Sequence, residues 1–236
     1  MEDGATMETQ AEPPVRSRRP VKALLICGIV SFPLYLVGHM LAGMQLEGYS
    51  HINQFVSELS AVGAPSQPVA AAFALVYDAL VIAFGIGVWA VAGNRRSLRV
   101  AAIALLAFGA LGSLGGFVPM NPRGAERSAT DVGHLFYATG IILSMVLFMA
   151  FGSGADGRWF RIYSILTILA TLAAGAWTGA QTRLVEQGLP TPWGGAIQRV
   201  GVYGPMLWML VLAVVLLRAQ RRQDAMLQVT TPQPAG

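Results

Sequence analysis

Residues 69–92 read VAAAFALVYDALVIAFGIGVWAVA. Of these 24 residues only Asp78 is charged. A helix of that length rises about 36 Å at 1.5 Å per residue, enough to cross the ~30 Å hydrocarbon layer of a bilayer. Inside lipid the backbone has no water to bond, so a spanning segment of this kind must satisfy its own amides as a helix.

Five further runs share this character. With the first they lie near 23–44, 69–92, 99–118, 132–152, 160–181 and 197–217. The chain is 54% hydrophobic and 12% charged, against about 25% charged in soluble domains. The reading is an all-α, polytopic six-helix transmembrane bundle over 22–218, flanked by disordered cytoplasmic tails at 1–21 and 219–236. The first run is longer than the 7–15-residue core of a signal peptide, so an uncleaved helix is expected. Cys27 stands alone, which excludes an internal disulfide and a cysteine-ligated metal. Fifteen Arg against one Lys, with abundant Ala and Gly, suggests a GC-rich bacterial genome.

Net charge is +4, yet the basic residues do not form a nucleic-acid footprint. They cluster between the apolar runs. Twelve Lys and Arg fall on one side of six alternating spans (before the first run, around 95–99, at 158 and 161, and after the last run) and four on the other: Arg123, Arg127, Arg183 and Arg199. The positive-inside bias then places both termini in the cytoplasm of a cell (inner or plasma) membrane.

The connection at 48–65, GYSHINQFVSELSAVGAP, is expected to face outward. Ile52, Phe55, Val56 and Leu59 fall at i, i+3, i+4 and i+7, one face of a helix. Ser50 as N-cap and Gly63 as C′ residue would bound about 11 residues, a short interfacial amphipathic helix lying like a lid. Glu58 on its polar face would point across or into the outer mouth.

Other polar residues share that side. They are Tyr49, Ser57, His39, His51, Asn121, Arg123, Asp131 and His134, with Asp78 about 15 Å from the outer end of its helix. An acid at that depth costs a few kcal/mol unless it faces the interior and finds a partner. Asp131 and His134, at i and i+3, read either as a helix cap with an interfacial histidine or as an Asp-oriented imidazole. In the third run Gly109, Gly112, Ser113 and Gly116 form a small-residue stripe for close helix packing. Pro33 and Pro205 fall inside the first and last runs and are expected to kink them.

Tyr49, Ser50, Ser57, Glu58, Leu59, Gly63, Ala64 and Pro65, then Phe117, Pro119, Asn121, Pro122 and His134, resemble the motifs of the bacterial and archaeal membrane family known as domain of unknown function 998. Val118, between Phe117 and Pro119, is an insertion relative to the second motif. The resemblance covers about 23–217 and implies a six-helix integral membrane protein, with no activity attached.

Three functions fit the residues. An accessory or sensor protein would bind a lipid head group or small amphiphile in a pocket of Glu58, Asp78, Asp131, His134, His39, Ser57, Tyr49, Arg123 and Asn121. A membrane-embedded lipid hydrolase could use the same side, with the histidines and acids holding a metal, although neither H-E-x-x-H nor G-x-S-x-G spacing is present. A small carrier could relay a proton or cation through Asp78. The bilayer is the one partner implied directly; no cofactor and no oligomeric state follow from these residues.

Overall fold

The structure, a computed structural model, describes residues 19–230. Its long helices are α1 (Arg19–Gln45), α2 (Gln67–Ala92), α3 (Arg96–Gly112), α4 (Ala129–Gly152), α5 (Arg158–Ala180) and α7 (Gly194–Thr230), with a short α6 (Thr182–Glu186) after α5. Six helical stretches are long and apolar enough to cross a membrane, and the chain is a multi-pass membrane protein. Helices α1, α3, α4 and α5 begin two to four residues before the expected starts, because a span carries its first turn past the last apolar residue.

Two boundaries differ more. Residues 19–21, expected in the N-terminal tail, form the first turn of α1, while 1–18 lie outside the described residues. The expected C-terminal tail is helical through Thr230. The run AQRRQDAMLQ holds strong helix formers and neither Gly nor Pro before Pro232, so nothing stops the helix at the end of the apolar run. Lys22 at the start of α1 pairs with Asp224 of this extension at 2.8 Å.

The lid is a larger correction. Instead of an 11-residue amphipathic helix, residues 51–54 turn and only Val56–Ser60 coil, as a 3₁₀ helix. Side chains take the bonds that an α-helix would use. The Phe55 N–H donates to Glu58 Oε1, and the Gln54 and Phe55 carbonyls accept from the Tyr49 hydroxyl. Phe55, Val56 and Leu59 are buried as their spacing suggested, but Ile52 is 51% exposed.

The helices close a ring: α1 lies between α2 and α7, α2 meets α3, α3 meets α4, and α5 meets α7, with α4 and α5 making the loosest join. The half of the bundle nearest the termini is solid. Trp208 stacks between Phe148 and Phe160 at ring distances of 5.6 and 5.4 Å, and its indole N–H donates to Ser164 Oγ at 2.8 Å. Leu25, Phe84, Leu105 and Leu212 fill the rest. Exposed Leu143, Leu166 and Leu169 face outward, where lipid would lie. The expected stripe on the third run is cut short. Helix α3 ends at Gly112, and Gly116 sits in a 3₁₀ turn with nothing near the position of a Cβ. Both α1 and α7 run through their prolines as continuous helices.

In lipid these helices are held by close contact rather than by water release. A Cβ on Gly28 would come within 2.7 Å of the Phe84 ring, which is fully buried and has nowhere to go. Gly28→Val is expected to destabilise the fold by about 1–3 kcal/mol. The midpoint of thermal unfolding in detergent checks this, with Gly154→Ala, whose surroundings are open, as the unchanged control.

Candidate functional site

At the end of the bundle opposite the termini, called distal here, the three connections interlock. Val62 N–H donates to Met120 O, Gly124 N–H to Val185 O and Ala196 N–H to Ile52 O. A buried ion pair ties them. Arg123 donates through Nη2 to Glu58 Oε1 at 2.7 Å and through Nε to Oε2 at 3.0 Å, a two-pronged grip suited to a carboxylate. Glu58 is 5% exposed, and its oxygens also accept from Phe55 N–H and Gln54 Nε2. The rest of the guanidinium donates to Leu189 O and Thr191 Oγ1, and Thr191 in turn donates to Asn53 O. Each of the two charges therefore has hydrogen-bond partners, the condition under which a buried pair is tolerated.

A second arginine acts beside it. Arg199, in the second turn of α7, donates to the carbonyls of His51, Gln54 and Gly195 and to the Tyr49 hydroxyl. It also faces His51 Nδ1 at 3.1 Å, so that nitrogen is the acceptor. Burial and the Arg199 charge both lower the His51 pKa, and burial raises that of Tyr49 to about 12. Both rings are thus neutral at pH 7.

The Asp131 and His134 pair does not form. Asp131 accepts from Ser128 N–H in a capping box at the start of α4, and from both the backbone N–H and the side-chain amide of Asn121. The Asn121 amide reaches Ser128 Oγ and Glu126 O as well, so the turn at 119–122 is knotted onto the helix. His134 donates from Nδ1 to Val118 O at 2.8 Å. Of the two readings of the sequence, the structure has the cap.

Beneath this roof the distal half is hollow. A cavity of about 720 Å³ lies between α2, α4, α5 and α7. Its walls are small or apolar, among them Ala74, Ala138, Ile142, Ala174 and Gly175, with Thr171 and Thr178 on α5. Those threonines return their hydroxyls to carbonyls one turn earlier. The lining reaches exposed residues at the loose join of α4 and α5, where Thr139 and Gly179 face outside.

Six of the nine candidate residues line this space: His39, Ser57, Asp78, Asn121, Asp131 and His134. Tyr49, Glu58 and Arg123 do not, and instead hold the roof; of the two expected aims of Glu58, it points across, to Arg123 of the second connection, rather than into this space. His39 is held by the Tyr203 hydroxyl at 3.3 Å. Among the described residues no three His, Cys, Asp or Glu side chains gather as a metal set. No hydrogen bond or ion pair joins Glu58, Asp78 and His134 to one another among those residues. Asp78 is 4% exposed and faces inward, as expected. The expected partner is missing: among the described residues no group bonds its carboxylate. Sequence reading missed Tyr35, Tyr77 and Tyr137, which surround Asp78, and the central place of Arg199. The threonines at 171 and 178 were legible as polar residues two helical turns apart on one face.

The family model described as a protein of unknown function (DUF998) matches residues 29–215. Comparison with curated proteins and with solved structures finds no match. Of the motif residues that carry the resemblance, Tyr49 and Glu58 are bonded within the roof, and Asn121 ties the adjoining segment to α4.

Removing one member of a buried pair strands the other charge, at a cost of about 3–5 kcal/mol when fully buried. The Arg123 side chain is 20% exposed, which puts Glu58→Gln and Arg123→Met toward the lower end. Thermal unfolding should show each single variant destabilised. The double variant should lose less than the two together, because neither charge is left alone.

Proposed function

The chain belongs to the family of proteins of unknown function DUF998, and we propose that it binds a membrane-borne amphiphile in the distal cavity, as an accessory or sensor protein. The observation that carries this reading is the cavity itself. About 720 Å³ lies within the range of small-molecule sites, with the usual pattern of apolar walls and a few polar groups. Its reach to exposed positions at the join of α4 and α5 supports entry from the bilayer. A hydrolase reading finds less support: His134 and Asp131 are spent on the Val118 carbonyl and on the helix cap.

Both termini are proposed to be cytoplasmic, so that the roof faces the other side. The cationic clusters at the terminal end support this. So does the fate of three of the four distal arginines: Arg123 and Arg127 pair with Glu58 and Glu186, and Arg199 is bonded to carbonyls.

Protein extracted gently from membranes is expected to carry an amphiphile at near one-to-one ratio by native mass spectrometry. Ala138→Trp, which fills the cavity, should cut that occupancy roughly tenfold or more, about 1.4 kcal/mol, with the helical signal intact. Unchanged occupancy would remove the cavity from the account. For orientation, in a Cys27→Ser background, Glu126→Cys should react with a membrane-impermeant thiol reagent on intact cells and Arg222→Cys only after permeabilisation. The reverse pattern would invert the topology.

A further inference from the structure

The floor of the cavity holds two polar groups that the protein leaves unsatisfied. Asp78 is 4% exposed, lines the cavity and has no hydrogen-bond or ion-pair partner among the described residues. The neighbouring Tyr77 is 2% exposed, and its hydroxyl is buried without a partner. Buried polar groups are nearly always bonded, and an acid inside a membrane protein more strictly so. The protein also makes room for this acid. Helix α3 passes it with Gly112, where a Cβ would overlap Asp78 Oδ1.

Aromatic rings surround the same place. Tyr35 lies 4.8 Å from Tyr77, ring to ring, Phe108 meets Tyr77 edge-on at 6.3 Å, and Tyr35, Phe108 and Tyr137 also line the cavity. The Tyr137 hydroxyl is directed at Gly112 O rather than at the acid. Arg123 and Arg199, on the roof side, are bonded to Glu58 and to Tyr49 rather than to the acid. The floor therefore has an acceptor carboxylate and several π-faces, with no cation paired to the acid among the described residues.

We propose that this floor binds the protonated amine of an amphiphilic ligand, with its N–H groups on Asp78 and its apolar body along α4 and α5. An ammonium group offers the acid several N–H donors together with the opposite charge and is favoured by the tyrosine faces. A neutral alcohol can donate one O–H but brings no charge, and an anionic head group repels an ionised acid. The proposal rests on the cavity reading above and names the chemical class of its occupant.

The test uses the full chain in nanodiscs of zwitterionic lipid, titrated with dodecylamine or with dodecanol, which has the same tail and no charge. The readout is the thermal unfolding midpoint, which rises with bound ligand. Dodecylamine is expected to act at a mole fraction at least tenfold lower than dodecanol. Asp78→Asn should abolish that preference and leave the dodecanol response as it was. Equal responses of the native chain to both compounds would overturn the amine assignment while leaving the cavity reading in place. No response to either would overturn both. Should Asp78→Asn fail to fold, the comparison of the two compounds on the native chain decides alone.

Discussion

The Glu58–Arg123 pair is the contact on which the distal half depends. It joins residues 65 apart in sequence through two hydrogen bonds, with the Glu58 carboxylate shut away from solvent and the arginine largely so. The same carboxylate that grips the arginine also accepts the Phe55 N–H. Placing the charge and shaping the loop are therefore one event. Neither group could be buried alone, since an unpaired charge there would cost more than the local packing returns. Once paired, they hold the first connection against the second and, through Leu189 O and Thr191, against the third.

This roof matters because what lies under it is not filled. Side-chain size is graded along the bundle axis. Toward the termini the interior is Phe84, Phe148, Phe160 and Trp208; toward the roof it is Ala70, Ala74, Gly112, Ala174 and Gly175. A space lined by small residues forfeits dispersion contacts that larger ones would make. Helices free to shift would close it. The interlocked connections oppose that closure from above, and the solid aromatic half fixes helix spacing from below. The hollow is thus a consequence of sequence, in that small residues stand among the distal aromatics where the other end packs large ones together.

Much of the fold was legible because a bilayer imposes a simple rule: an apolar run of some 20 residues becomes a helix. All six runs obeyed it. The first connection defeated the same reasoning. Its i, i+3, i+4, i+7 pattern rightly marked Phe55, Val56 and Leu59 as buried, but periodicity does not see side chains competing for backbone. Tyr49, Glu58 and Arg199 took those bonds, and only five residues coiled. Asp78 was conspicuous in sequence by its depth, whereas its company was not: Tyr35, Tyr77 and Tyr137 come from three helices, and sequence spacing does not bring them together. The partners of Glu58 and Asp131, Arg123 and Asn121, were both noted as polar. Which acid took which was a matter of three-dimensional path, and local spacing had suggested His134 for Asp131 instead.

The central claim is that the distal half is a ligand chamber held open under a bonded roof. An experimental structure of the full chain in lipid nanodiscs tests it most directly. The account predicts continuous density of an elongated molecule inside the ring, ending at Asp78, with Glu58 and Arg123 in contact above it. Helices α4 and α5 drawn together, with Ala138 against Ala174, no space between them, and a side chain of the protein bonded to Asp78, would contradict it.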